Sequence, residues 1–304
     1  MSASAETWRL DGRTVTITHP DKLYWPEAEL TKGDMLGYYR AMAPVMIPYF
    51  HDRPVTLRLF PKGVHGFSYY RRSLPEDAPD WLRRVAYETE TNHHTIQLPL
   101  VDDAAGLIWL ANQGAIEFHL WGSRAPHLHE PDMAIFDLDP GTEATFTHVL
   151  EAALRVRDAL DEAGVRGYPK TSGGSGLHVY VPLAPGQSSG QSFDEVRAWV
   201  KALAERLTAA HPGLIAVAHG PTHRGDRVTV DYAQNSIGRN TAAPYTLRAK
   251  PNAPVSMPVT WAEVEAGRIR PADFTLTSAP ARAERMGDLF RPVLEGGQPL
   301  PHLS

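Results

Sequence analysis

The chain has 304 residues, 42% of them hydrophobic, no cysteine, and a formal net charge of −5. That length suits one large domain or two closely joined ones, and the apolar fraction excludes a disordered chain. The lack of cysteine excludes disulfides and thiolate zinc sites, and the acidic balance argues against coating nucleic acid by bulk charge, while leaving room for a local basic patch.

The N-terminus, MSASAETWRLDG, has no apolar signal stretch, and no segment approaches the length of a membrane span. A cytoplasmic enzyme without membrane contact is the expectation. The first third interleaves cations and rings: Lys22, Tyr24, Trp25 and Lys32, then Arg53, Arg58 and Lys62, then Phe67, Tyr69, Tyr70, Arg71 and Arg72. Cations neutralise phosphates and ring faces stack on bases, although such residues also serve as core aromatics and surface charges. Ser68 to Arg72 is the part least like a core strand.

The centre carries the sharpest signal. Met133-Ala134-Ile135-Phe136 runs into Asp137-Leu138-Asp139-Pro140-Gly141, an apolar run bounded by Pro and Gly that reads as a buried strand. Alternation puts Asp137 and Asp139 on one face. Two unpaired carboxylates there repel each other and resist desolvation, which a divalent cation between them would relieve. Thr142 to Glu162 has a helical stripe with Gly164 as C-cap. Residues 166–171 and Leu177 to Val181 read as strands. Pro185 to Gln191 reads as a surface loop. Ser192 and Glu195 form a capping box before a second amphipathic helix. Arg227 to Tyr232 alternates as a last strand, and from about Pro271 the chain reads as an extended tail with a short helix.

The order β-α-β-β-α-β is the split βαβ arrangement, in which the first and third strands are neighbours and the fourth flanks the first. It would bring Asp137, Asp139, Asp231 and His178 to one sheet face. Two hard cations bridged by these carboxylates can clamp a triphosphate and an attacking oxygen in an in-line displacement. For Asp139 alone a turn, and for Asp231 alone a strand-end cap, would suffice. Thr171-Ser172-Gly173-Gly174-Ser175-Gly176 is a loop whose backbone N–H groups can approach an anion, although a plain Ser/Gly hairpin looks the same. Arg248 and Lys250 share one face of an extended run, as phosphate ligands or as charges guarding an edge strand.

Taken together, HPDKLYWPEAELTK (19–32), RPVTL (53–57), FSYYRR (67–72), EFHLWGSR (117–124), FDLDPG (136–141), KTSGGSGLHVYVPL (170–183), VDYAQN (230–235) and APYTLRAKPNAPVSMPVTW (243–261) resemble the polymerase domain of bacterial ligase D and its stand-alone relatives, in the archaeo-eukaryotic primase superfamily. The resemblance implies an α/β (α+β) primase-like fold with an RRM-like catalytic core. It implies one domain: about 1–130 contacting DNA and template, about 131–260 catalytic, and about 261–304 as tail. It implies template-dependent addition of nucleotides to a primer in DNA-break repair, usually favouring ribonucleotides and manganese. Asp137, Asp139 and Asp231 match the metal-binding carboxylates, for two Mn2+ or Mg2+ ions and no zinc. Ser172, His178 and Arg248 match residues holding the incoming triphosphate, and His119 a histidine near its sugar. Arg58 matches a basic residue beside the nucleotide, and Tyr69 and Tyr70 a pair stacking on base and template. Lys22 and Lys32 match lysines gripping a 5′-phosphate across a gap.

Two positions depart from the family pattern. Ser175, in the nucleotide-binding loop, stands where Lys is usual, and His19, in the 5′-phosphate pocket, where Asn is common. No ligase or nuclease module is attached, so a stand-alone member or an excised domain is expected, acting as a monomer on gapped or broken DNA with NTP or dNTP, with Ku and a DNA ligase as partners. Two other readings compete. A haloacid-dehalogenase-type phosphatase would use Asp137 as nucleophile, and a non-catalytic DNA-end binding module would keep the acidic cluster as a vestige.

Overall fold

The computed structural model describes residues 5–89, 93–184, 191–217 and 225–301. The loop expected at Pro185 to Gln191 lies outside the described residues except for Gln191. The chain divides into two compact α/β units. The first comprises Met1–Trp121, Ala242–Val255 and Phe274–Gly287; the second comprises Gly122–Thr241, Ser256–Asp273 and Asp288–Ser304. The stretch after Pro271 carries helices at Ala279–Met286 and Pro292–Glu295. Among the described residues no helix is long and apolar enough to cross a membrane.

In the second unit the strand Met133–Pro140 is central, here called the acidic strand. On one side it pairs antiparallel with Leu177–Pro182, and beyond that lies Tyr168–Thr171. On its other side it pairs antiparallel with Val228–Asp231. An outer strand, Ile215–Val217, runs parallel to Val228–Asp231 and is absent from the sequence expectation. The first and third strands of the β-α-β-β-α-β pattern are thus neighbours, and the fourth flanks the first. A dehalogenase-type motif strand belongs to a parallel sheet; this one has antiparallel partners on both sides, which removes the phosphatase reading.

Alternation explains the burial. Phe136, Leu138, Val228 and Val230 are almost fully buried on one face, where Phe136 meets Trp199 of the helix Phe193–Ala210 edge-on at 5.8 Å. That helix starts at the expected capping box, with the Ser192 hydroxyl accepting from Glu195 N–H. The helix Phe146–Glu162 ends before Gly164, whose φ of +74° makes the left-handed exit glycine tolerates. Asp231 and its neighbours end the last strand, and Tyr232–Asn235 continues as a 3-10 turn. From that turn, Asn235 reaches back to the acidic strand. Its carbonyl accepts from Ile135 N–H at 2.8 Å and its amide donates to Ile135 O at 2.8 Å. The Asn235 side chain thus substitutes for a strand where the backbone ladder stops short.

The first unit holds a sheet in which Val55–Leu59 pairs with Tyr69–Arg71 on one side and Ala115–Trp121 on the other. The helix Lys32–Phe50 buries Met35, Leu36, Tyr39, Met46 and Phe50 in this unit's core, starting at a Thr31/Asp34 capping box. Tyr24, Trp25 and Arg53, grouped above with candidate nucleic-acid contacts, are corrected here. The two rings are core residues, and Arg53 is fully buried, donating to Tyr49 O and Trp121 O. Its guanidinium satisfies main-chain carbonyls rather than facing a phosphate.

Candidate active site

Strand register builds the site in the second unit. Lys170 pairs with His178, His178 with Asp137, and Asp137 with Asp231. Directly opposed residues share a face, so these four form one row across four strands. Asp139 lies two residues along on the same face, opposite Thr229. The structure therefore brings together Asp137, Asp139, Asp231 and His178 as alternation required. His178 Nε2 lies 3.2 Å from Asp137 Oδ1. Asp137 and His178 are buried, whereas Asp139 and Asp231 are half-buried and so accessible to a ligand. Asp231 also caps the 3-10 turn, accepting from Ala233 N–H at 3.0 Å.

Hard anionic oxygens gathered on one face suit a hard divalent cation and offer no soft ligand. The Thr229 hydroxyl in the same patch is buried and has no hydrogen-bond partner among the described residues. A buried hydroxyl ordinarily finds one, so this patch retains unused capacity to coordinate. The donor set fits the divalent cations that the family implies.

The Ser/Gly loop is organised from within. Ser172 Oγ accepts from the N–H groups of Gly174 and Gly176, each at 3.1 Å, and Ser172 N–H donates to Gly176 O at 3.0 Å. Those two glycine N–H groups therefore serve Ser172 rather than an anion. Ser175 is exposed at the tip. Gly176 is required for close approach, because a Cβ there would lie 2.4 Å from Leu138 O and 3.3 Å from Asp139 Oδ1.

A second cluster stands in the first unit. Arg58 pairs with Tyr70 on one side and Glu117 on the other, and Thr56 pairs with His119. Tyr70, Arg58, Glu117 and His119 share a face. The Arg58 guanidinium lies 5.5 Å from the Tyr70 ring centre, and Tyr70 meets His119 edge-on at 5.8 Å. Glu117, buried beneath them, joins the group. It lies 3.0 Å from His119 Nε2, 3.3 Å from Arg248 Nε and 3.5 Å from Arg58 Nη1, and accepts from Ala249 N–H at 3.0 Å. Burial alone would raise its pKa, but the His119 hydrogen bond, the Arg248 charge and the Ala249 N–H outweigh it and hold the carboxylate at about 2. Burial pushes the His119 pKa down against the pull of Glu117. Arg248 and Lys250 do not share an extended face. Lys250 N–H donates to Arg248 O, and Asn252 and Ala253 adopt positive φ, so the chain turns where alternation was expected.

Tyr69 points the other way from Tyr70, as strand neighbours do. It stacks on the exposed Phe67 at 5.7 Å, and Arg71 donates to its hydroxyl. His19, Lys22 and Lys32 come together at the start of the helix Lys32–Phe50. Lys22 N–H donates to His19 O, and Lys32 N–H to Lys22 O. Lys32 Nζ is bonded to Thr18 O and Thr18 Oγ1, and burial, with Lys22 nearby, lowers its pKa to about 8. Lys22 Nζ donates to Pro61 O.

Glu117 and Lys170 are the members of these clusters that sequence reasoning missed. Their signal was the two-residue spacing from His119 and the place opposite His178.

Comparison with known proteins agrees with this geometry. Residues 31–290 match the family model described as LigD, primase-polymerase domain. The chain is 35% identical over 287 residues to the multifunctional non-homologous end joining DNA repair protein LigD of Mycobacterium tuberculosis, covering 91% of this chain and 36% of that protein. It is 33% identical over 282 residues to the Mycolicibacterium smegmatis LigD, covering 92% and 36%. It is 30% identical over 285 residues to that of Pseudomonas aeruginosa, covering 93% and 33%. Among solved structures, the polymerase domain from Mycobacterium tuberculosis ligase D in complex with DNA matches with a TM-score of 0.86 at 33% identity, covering 93% of this chain and 99% of that one. The chain belongs to the LigD primase-polymerase domain family, a nucleotidyltransferase family that uses divalent metal. It spans about a third of the length of these multifunctional relatives.

Proposed function

We propose that this domain adds nucleotides to a primer 3′-hydroxyl, directed by a template, at gaps or breaks in DNA, as the polymerase step of end joining or gap filling. The corresponding fold reading is an archaeo-eukaryotic primase-like fold with an RRM-like catalytic core. One observation carries the proposal: Asp137 sits in register between His178 and Asp231, with Asp139 on the same face. Asp137, Asp139 and Asp231 would hold the cations, Mn2+ or Mg2+. When bound, these ions supply the Lewis acidity that activates the 3′-hydroxyl and neutralises the leaving pyrophosphate.

The side chains do the remaining work. His178, beside the acidic group, is the proposed side-chain contact to a phosphoryl oxygen of the triphosphate. Ser172 and Ser175 shape the loop beside it. In the first unit Arg248 and Arg58 supply positive charge for a triphosphate, and Tyr70 supplies a ring face for a base. Glu117 fixes His119, which serves the sugar, and Tyr69 with Phe67 offers a stack for the template. His19, Lys22 and Lys32, gathered beside the start of the helix Lys32–Phe50, are the proposed contacts for a 5′-phosphate, with Lys22 and Lys32 supplying the positive charge. Ku and a DNA ligase are the proposed partners, since the relatives are named for end joining.

Extension of a gapped primer-template with ribo- and deoxynucleotides, each with manganese and with magnesium, tests this. Template-matched addition, favoured by ribonucleotides and manganese, is expected. Binding of the gapped duplex with no addition in any combination would overturn the proposal in favour of a DNA-end binding module.

A further inference from the structure

A buried lysine in the second unit has no part in the scheme above. Lys170 is fully buried on the strand Tyr168–Thr171, at the end of the row that continues through His178 to Asp137 and Asp231. Its Nζ lies 3.0 Å from His178 Nδ1, 2.5 Å from Ser256 Oγ and 5.5 Å from the centre of the Tyr180 ring. Removing an ammonium from water costs several kcal/mol, of which an ordinary salt bridge would return part. Its partners here include a ring nitrogen, a hydroxyl and a ring face.

The hydrogen-bond directions close from both ends. The Ser256 hydroxyl donates to Thr171 O at 3.0 Å, so toward Lys170 it is an acceptor. Lys170 therefore donates to Ser256, and as an ammonium it has no lone pair to offer His178. His178 Nδ1 must then accept. At the other edge of the imidazole, Nε2 faces the Asp137 carboxylate at 3.2 Å, which accepts and cannot donate while ionised. Nε2 must then carry the hydrogen. Both constraints select the same tautomer.

We propose that Lys170, anchored by Ser256, is a positioning residue that fixes His178 with its hydrogen on Nε2 and its lone pair on Nδ1. The histidine then presents a single directed N–H on the acidic face. Without the lysine, the Nδ1–H tautomer becomes accessible, and it would turn a lone pair toward Asp137 and any phosphate there. This deepens the nucleotidyl-transfer reading and rests on it only for its kinetic consequence.

The test is long-range 1H–15N NMR of the histidines in the wild-type protein without metal or nucleotide, with His178→Gln to assign the signal. Expected is a protonated-type nitrogen at Nε2 and an unprotonated-type nitrogen at Nδ1; the reverse pattern in wild type overturns the proposal. Lys170→Met keeps the apolar stem, and Ser256→Ala loosens the anchor without emptying the cavity. Both should shift His178 toward mixed tautomers, and in primer extension both should raise the nucleotide KM about tenfold with a smaller change in kcat. A folded Lys170→Met variant that keeps the wild-type nitrogen pattern overturns the assignment. So does an unchanged KM in a variant whose tautomer has shifted. A wild-type protein with the expected nitrogens but no extension activity would instead refute the polymerase reading and leave the tautomer inference standing.

Discussion

Replacing Gly176 by Ala perturbs the acidic strand without touching a charged residue. The backbone of Gly176 lies outside the left-handed region, so an L side chain is tolerated conformationally and the whole effect is steric. With room available, such a change would stabilise the fold by about 0.4–1 kcal/mol through the unfolded chain. Here the new Cβ would meet Leu138 O at 2.4 Å and Asp139 Oδ1 at 3.3 Å. Carbon and a carbonyl oxygen settle at about 3.3 Å or more, so roughly 0.9 Å of separation must be found. The flexible end of a side chain cannot supply it. The first obstacle is a backbone carbonyl, in a strand paired on both sides, where Leu138 opposes Leu177 and Val230. Overpacking of this kind costs about 1–3 kcal/mol, and moving a reacting group by about 1 Å costs on the order of a hundredfold in rate. The expected outcome is a lowered melting temperature together with a fall in primer extension on the order of a hundredfold. Gly174→Ala is the control, since its Cβ would meet Ser172 Oγ at an ordinary 3.4 Å. A Gly176→Ala protein that melts no lower than wild type and extends normally would refute the claim that this glycine fits the loop to the acidic strand.

Three other outcomes are expected. Asp139→Ala, a change at a half-buried carboxylate, should abolish extension while leaving circular dichroism and melting near wild type; residual extension at the wild-type rate would remove Asp139 from the chemistry. Tyr70→Ala should weaken nucleotide use by about 1–3 kcal/mol, the value of a stacking ring, read as a raised KM; an unchanged KM counts against Tyr70 as a platform. Glu117 is held down at about 2 when folded against an ordinary 4.5, so between those values the unfolded chain binds more protons. The stabilisation, on the order of 3 kcal/mol, is complete above 4.5 and is lost as pH falls toward about 2. The lowered pKa of His119 acts in the same sense, its loss beginning as pH falls through 6.5. Melting temperatures of wild type and Glu117→Gln across the acid range should converge at low pH; parallel curves would show that Glu117 does not carry the acid sensitivity.

The acidic site was legible because its information is periodic. Asp137 and Asp139 interrupt an apolar run at two-residue spacing, and the element order fixed which strands would flank them. A strand places successive residues on opposite faces regardless of what surrounds it, so the grouping of Asp137, Asp139, Asp231 and His178 followed from alternation and order alone. The capping box at Ser192 and the glycine exit at Gly164 were legible for the same reason, being local chemistry at fixed offsets. The Arg248–Lys250 run misled because alternation was assumed without a strand to enforce it. The turn itself had a local signature that alternation overrode: Pro251 then Asn252 suit the two central positions of a turn closed by Ala253 N–H donating to Lys250 O, with Asn252 at positive φ; the positive φ of Ala253 had none.

Glu117 and Lys170 show a different limit. Every residue of Ala115–Trp121 is buried, so no polar face marks this strand as it would a half-solvated one. A charged residue inside such a strand reads as an anomaly until its neighbours across the sheet are known. Glu117 acquires its meaning from Arg58 on the next strand, and from Arg248 and Ala249 more than a hundred residues away in sequence. Lys170 acquires its own from His178 and from Ser256. Neither residue is placed to meet a ligand first; each holds the side chain that would. Residues that set another residue's proton or charge are specified by contacts between distant segments, and local pattern does not encode such contacts. The bonding partners of a buried charge therefore decide whether it belongs to the site, and in both cases the partner is a histidine that the sequence had already marked.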